Sequence, residues 1–261
     1  MIPAPSFIRT FNVDQLRVNV ARNRRALGQA AGRAVADKIR ELSREQAAVS
    51  IIFASAPSQN EFLETLSQEV GIDWSRIRAF HMDEYVGLPV EAPQNFGVFL
   101  KQHLFDKVPI NDVFYLDGNA SDSERECLRY AALLDQYSVD IVCLGIGENC
   151  HIAFNDPHVA DFADPCLVKT VTLDSTSRLQ QVHDGCFTSL DQVPEQALTL
   201  TIPALLRGRY LFCMVPARHK AEAIYHTLVD AISETYPATI LRSHPNASLF
   251  VDQDSAERFL E

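Results

Sequence analysis

VDIVCLGIGENCHIAFNDP, residues 139–157, joins a mostly apolar run to a dense polar loop through two glycines. VDIVCLGIG (139–147) is short, β-branched and apolar, as a strand buried on both faces of a parallel sheet should be. Gly145 and Gly147 permit a tight turn and close backbone approach, although the six-residue dinucleotide fingerprint is not completed here. Glu148, Asn149, His151, Asn155 and Asp156 then fall within nine positions of one another. An imidazole in such company can move protons near neutral pH, its tautomer set by a neighbouring carboxylate or amide. A hydrogen-bonded surface histidine would look the same by spacing alone.

Working outward, helical and extended patterns alternate along the chain. Asn23 to Gln46 has apolar positions three and four apart, the reading of a helix, and AAVSIIFA (47–54) reads as a buried strand. Ser58 to Gln68 is helical with Phe62, Leu63 and Leu66 on one side. IRAFHMD (77–83) reads as a strand, Phe96 to Phe105 as a helix, and Ser121 to Tyr137 as a longer helix. QALTLTI (196–202) and RYLFCMV (209–215) read as strands. A helix from Arg218 to Leu228 and a last strand around Ser248 to Val251 complete the series. Strands alternating with helices of this length predict an α/β fold: a doubly wound, mostly parallel sheet with helices on both faces, in a single domain over residues 1–261. Ligands of such sheets bind at the carboxyl ends of the strands, which directs attention to three loops. Ser55-Ala56-Pro57-Ser58-Gln59-Asn60 leads into a helix N-terminus suited to an anion, with plain capping by Ser58 as the alternative. His81-Met82-Asp83-Glu84-Tyr85 sets two carboxylates at a strand end, where one could serve as a general base. The third is the loop around His151.

The chain of 261 residues carries 23 Lys+Arg against 34 Asp+Glu, a formal charge of −11, with 47% apolar residues. That balance argues against general binding to nucleic acid or to an anionic membrane surface. No apolar run is long enough to span a membrane. The N-terminus lacks a secretory pattern, so a cytoplasmic location is expected. Cys127, Cys143, Cys150, Cys166, Cys186 and Cys213 include no CxxC pair and read as reduced thiols. Zinc is not expected, because Cys143, Cys150 and His151 lack the pair-and-pair spacing of zinc sites.

HMDEYVGLP (81–89) together with GIGENCHIAFNDP (145–157) resembles the glucosamine-6-phosphate deaminase (isomerase) family. The similarity continues in order through LDGNA (116–120), VPEQALTLTIPALL (193–206), RHKAEAI (218–224) and PATILRSHPNASLFVD (237–252). The resemblance implies that Asp83 is the base carrying a proton between C2 and C1 of an open-chain sugar. It also implies that His151 assists ring opening, that Asp156 is the acid of the relay, and that Asn149 orients the imidazole where the family commonly has Asp. Asp156 is one methylene shorter than the usual Glu, and Cys150 stands where Gly is usual. The familiar Thr-Gly-Gly-Thr-Pro phosphate loop is replaced by Ser55-Ala56-Pro57-Ser58-Gln59. Lys220 matches the family's phosphate lysine, and the phosphate arginine has no clean counterpart: His183 is nearest, with Arg178 upstream. Ser55, Ser58, Gln59, Lys220, His183, Glu84 and Gly147 are therefore the expected substrate- and phosphate-binding residues. Leu167 falls where regulated members carry an arginine, and the chain ends soon after its last strand, so allosteric activation is not expected.

The implied reaction isomerises and deaminates an amino-sugar phosphate to fructose 6-phosphate and ammonia, with no cofactor and no metal. The partner is a small-molecule sugar phosphate, and a homo-oligomer stays open. The alternatives are a 6-phosphogluconolactonase, a deaminase or isomerase for a different amino sugar, and a non-catalytic sugar-phosphate sensor. The lactonases typically show Asp-Glu-Arg where this chain has Asp83-Glu84-Tyr85, and a His-Thr-Ala-Ser run where it has His151-Ile152-Ala153-Phe154. A sensor in a transcription regulator would carry a DNA-binding module, and no helix-turn-helix segment or basic stripe is visible.

Overall fold

Successive side chains of a strand point to opposite faces, and here both faces of the central strands are apolar. On one side lie Val49, Ile51, Phe53, Ile141, Cys143, Phe212 and Met214; on the other lie Ile52, Val142, Leu144, Leu211, Cys213 and Val215. Each face must be covered, and the chain supplies helices to both. The computed structural model describes residues 7–260. Residues 1–6, over which part of the argument against a secretory leader runs, and Glu261 lie outside the described residues.

In chain order the elements are β1 (Arg9–Val13), β2 (Leu16–Ala21), α1 (Arg24–Glu45), β3 (Val49–Phe53), α2 (Asn60–Gln68), β4 (Ile77–His81), β5 (Asp83–Tyr85) and α3 (Phe96–His103). β6 (Asp112–Phe114), α4 (Ser123–Gln136), β7 (Ile141–Leu144), β8 (Val168–Thr172), α5 (Ser175–His183) and β9 (Gln196–Leu200) follow. The last are α6 (Ile202–Leu206), β10 (Tyr210–Val215), α7 (Ala221–Val229), β11 (Ala247–Asp252) and α8 (Glu257–Leu260). The main sheet runs β1-β2-β11-β10-β7-β3-β4-β6. All its pairings are parallel except that of β1 with β2. α1, α2 and α3 contribute to the core on one face, including Leu27, Ile39, Leu42, Phe62, Leu66 and Leu100. α4, α6 and α7 contribute to the core on the other. Truncating one of these fully buried leucines to Ala should cost about 2–5 kcal/mol. The doubly wound α/β architecture is as expected. Among the described residues no helix is long and apolar enough to cross a membrane.

Three departures from the sequence reading matter. First, 77–83 is not one strand. β4 stops at His81, and the chain re-enters as β5 in a second, antiparallel sheet ordered β5-β9-β8. Leu200 N–H donates to the Met82 carbonyl at 2.8 Å across this break. Second, 196–202 ends as a strand at Leu200, because the Thr201 hydroxyl accepts from Ala204 N–H and Pro203 occupies the first turn of α6. β9 belongs to the small sheet. Third, the β1–β2 hairpin, β6, β8 and α5 were not foreseen.

Candidate active site

β3 and β7 are neighbours, and after them the chain runs outward in opposite directions, to β4 on one side and β10 on the other. A crevice forms beyond the carboxyl ends of strands at such a switch. Here it is a narrow cleft of about 60 Å³ lined by Ser55, Ser58 and Gln59 after β3, Asp83 after β4, and Gly147 and His151 after β7. Gln180 and Gln181 of α5 and Lys220 before α7 close it. A larger groove of about 1260 Å³, between α1 and the start of β2, β10 and β11, contains none of these residues.

Asp83 owes its position to the sheet switch. His81 is buried, its Nε2 accepts from Leu116 N–H at 2.9 Å, and its Nδ1 therefore carries the proton donated to the Asp83 carbonyl at 2.8 Å. Burial lowers the His81 pKa to about 4, so the ring is a neutral brace at physiological pH. The Asp83 carboxyl faces the cleft, and burial, with the Glu84 charge beside it, raises its pKa well above the ordinary 3.8. Glu84 does not line this cleft, contrary to expectation. As the next residue of a strand it points the other way, and its carboxylate accepts from Phe96 N–H and Gly97 N–H, both at 2.9 Å, at the start of α3. Burial raises it to about 7 against those hydrogen bonds.

His151 sits in a network that fixes its tautomer. Its Nδ1 lies 2.7 Å from Asn149 Oδ1, 2.8 Å from Ser177 Oγ and 3.1 Å from Asp156 Oδ1. Asn149 Nδ2 donates to Asp156 Oδ1 at 2.9 Å and to Asp174 Oδ2 at 3.2 Å, so its oxygen must face the imidazole. Ser177 donates its hydroxyl proton to Asp156. Burial opposes ionisation of Asp156, but the hydrogen bonds and charge of His151, with those of Asn149 and Ser177, outweigh it and hold the pKa below the ordinary value. All three partners of Nδ1 are thus acceptors, Nδ1 keeps its proton, and Nε2 is left without a partner among the described residues. Gly147 makes room for the ring: a Cβ there would lie 2.1 Å from His151 Cε1. Asn155 Nδ2 ties the loop to the Ile152 and Leu200 carbonyls, each at 2.9 Å. Cys150 adopts a φ of +67°, its thiol packs toward the Ala223 carbonyl, and burial pushes its pKa up to about 12. That is an inert thiol.

Lys220 is 3% exposed, and its Nζ has no partner among the described residues. Burial lowers its pKa while Asp184 and Glu148 oppose the shift. Ser55 Oγ and Gln59 Oε1 are likewise buried and unpartnered. His183 is not in the cleft, another correction. It lies on the outer side of α5, exposed, with Nδ1 3.2 Å from Glu148. Arg178 donates to the Leu190 and Val193 carbonyls instead. Sequence reasoning missed Ser177, Gln180 and Gln181. Their signal was available: positions i, i+3 and i+4 of α5 are polar yet form its buried face. Asp156, His158 and Asp174 also bring possible ligand atoms within 4.8 Å of one another. The Asn149 amide already donates to both of these carboxylates, which makes the cluster a hydrogen-bond network.

Residues 22–250 match the family described as glucosamine-6-phosphate isomerases/6-phosphogluconolactonase. A glucosamine-6-phosphate deaminase of Exiguobacterium sp. is 35% identical over 190 residues, 73% of this chain and 73% of the relative. One from Bacillus thuringiensis is 35% identical over 184 residues, 70% and 68% of the two chains. The solved structure of a monomeric glucosamine-6-phosphate deaminase superposes with a TM-score of 0.85 at 30% identity, covering 92% of this chain and 98% of that one. The 6-phosphogluconolactonase of Thermotoga maritima shares the fold at a TM-score of 0.74 and 20% identity, covering 90% and 98%.

Proposed function

The chain belongs to the family of glucosamine-6-phosphate isomerases and 6-phosphogluconolactonases, and from that membership we propose that it is a glucosamine-6-phosphate deaminase, releasing ammonia and fructose 6-phosphate. The observation that carries this reading is the pairing, in one cleft, of a desolvated carboxylate with an imidazole whose tautomer is fixed. Deamination by isomerisation asks for those two groups. His151 Nε2 takes the anomeric hydroxyl proton and hands it to the ring oxygen as the C1–O5 bond breaks and the pyranose opens, while Asp156 steadies the transient imidazolium. Asp83 then removes the C2 proton and returns it to C1. This converts the 2-amino aldehyde through an enolamine to a C2 imine with C1 as an alcohol, and water at C2 releases ammonia. A buried carboxylate is a stronger base than a solvated one, which suits a carbon acid.

Lys220 and the donors around Ser58 hold the phosphate in this reading, and one domain over 1–261 carries the whole reaction. At about 60 Å³ the cleft is smaller than the ~300 Å³ or more of typical ligand sites. Substrate entry therefore requires the cleft to widen. A lactonase reading has less support: the relatives at 35% identity are deaminases, whereas the lactonase from Thermotoga maritima, at 20%, speaks for the fold alone. The reading is tested by ammonia release from glucosamine 6-phosphate, galactosamine 6-phosphate and their unphosphorylated forms, with 6-phosphogluconolactone hydrolysis as the control. Ammonia from glucosamine 6-phosphate supports it; lactone hydrolysis without ammonia release refutes it.

A further inference from the structure

The unpartnered atoms of the cleft differ in kind. Lys220 Nζ and Ser55 Oγ can donate to a phosphate oxygen, but Gln59 Oε1 can only accept. Its amide cannot be turned round, because Nε2 donates to the Met214 carbonyl at 3.3 Å and to Ser58 Oγ at 3.0 Å. Gln59 is 1% exposed and that oxygen is buried. A bound group that offers only acceptors would leave it buried and unsatisfied. The charges point the same way. Lys220 is the only Lys or Arg among the described residues lining the cleft. Asp184 and Glu148 are near enough to act on Lys220. His183 pairs with Glu148 at 3.2 Å, His219 with Asp184 at 3.6 Å, and Asp83 and His151 line the cleft itself. A dianion would bring its second negative charge into this surround with no second cation to meet it.

We propose that the cleft binds the substrate's phosphate as the monoanion, with Gln59 Oε1 accepting the phosphate's own proton. This rests on glucosamine 6-phosphate being the substrate. One P–OH donates to Gln59, the remaining oxygens take donors from Lys220, Ser55 and Gln181, and the three unpartnered atoms of the cleft-lining residues each gain a partner. Gln59 is then the residue that determines which protonation state binds, a function served in this chain by an amide where a second cation would select the dianion.

The 6-sulfate of glucosamine separates the proton from the charge: it is a monoanion at every working pH and carries no proton to donate. KM for ammonia release is measured for the 6-phosphate and the 6-sulfate from pH 5.5 to 8. Taking their ratio cancels titration of Lys220, Asp83, His151 and the neighbouring acids and histidines. The phosphate should bind about 5- to 150-fold more tightly than the sulfate at pH 5.5, the cost of one buried unsatisfied acceptor. The advantage should decay as pH passes the phosphate's second pKa near ~6. Gln59→Met should make the two esters alike at pH 5.5. A phosphate advantage that grows with pH, or equal binding of the two esters by the wild type at pH 5.5, overturns the proposal while leaving the deaminase reading intact. No ammonia from glucosamine 6-phosphate at any pH would overturn both.

Discussion

Adding a single methyl group at Gly147 should disable His151 without touching its chemistry. A Cβ at this position would lie 2.1, 2.3 and 2.4 Å from Cε1, Nδ1 and Nε2 of the ring, against the 3.4 Å where ordinary van der Waals contact begins. The imidazole must retreat by about 1 Å or swing aside. Nδ1 starts 2.7 Å from Asn149 Oδ1 and 3.1 Å from Asp156 Oδ1, so such a shift breaks or bends at least one of them beyond hydrogen-bonding range. Gly147 is not among the glycines with positive φ, so Ala adds no left-handed backbone strain, and the three atoms nearest the added Cβ all belong to the ring. A misplacement of ~1 Å can cost ~10²-fold in rate, and overpacking a filled site costs about 1–3 kcal/mol. Gly147→Ala should therefore lower kcat for ammonia release by ~10²-fold, with Tm reduced by about 2–12 °C in calorimetry. A variant retaining kcat within about twofold of the wild type would show that the observed His151 position is not the working one.

Three further outcomes follow from the same geometry. Asp83→Asn should abolish turnover by ~10²–10⁴-fold yet stabilise the protein. The folded-state pKa of Asp83 is raised, so its native environment favours the protonated form, and that stability is lost as pH rises through the raised value. The variant should thus gain Tm over wild type at pH 7–8 and not at pH 3, and equal Tm differences at both pH values would contradict the cause assigned here. The wild-type kcat should accordingly have an acid limb above the ordinary carboxylate range. Lys220→Ala should raise KM for the phosphorylated sugar by ~10- to 150-fold, the equivalent of one charged hydrogen bond. Any unphosphorylated sugar that binds should be barely affected. Dialysis against a chelator should leave activity unchanged, since the Asp156 and Asp174 carboxylates are engaged by the Asn149 amide; recovery of lost activity by a divalent ion would assign those residues to a metal.

The parallel layer of the fold was legible because β3, β7, β10 and β11 are nearly continuous apolar runs and α1 carries an unmistakable helical period. The β1–β2 hairpin was hidden by its edge: β1, RTFNV, is largely exposed and carries no clear hydrophobic pattern. β5 has three residues, too few for any period to show. His151, Asn149 and Asp156 lie farther beyond β7 and were singled out by the density of polar residues in that loop and by the family resemblance, whereas Asp83 was singled out because it follows closely on the end of β4. Glu84 was misjudged through the same proximity, since alternation along β5 turns it from the cleft into the N-terminus of α3. His183 was misjudged because counting along a segment cannot tell which face of α5 a residue occupies; Ser177, Gln180 and Gln181 hold the inner face.

The assignment of Asp83 as the base that carries the C2 proton is tested most directly with glucosamine 6-phosphate deuterated at C2. With the wild type, NMR should show the C2 deuteron leaving as ammonia appears, with part of the label recovered at C1 of fructose 6-phosphate. With folded, substrate-binding Asp83→Asn the label should stay at C2. Loss of the C2 deuteron from Asp83→Asn at the wild-type rate would contradict the account.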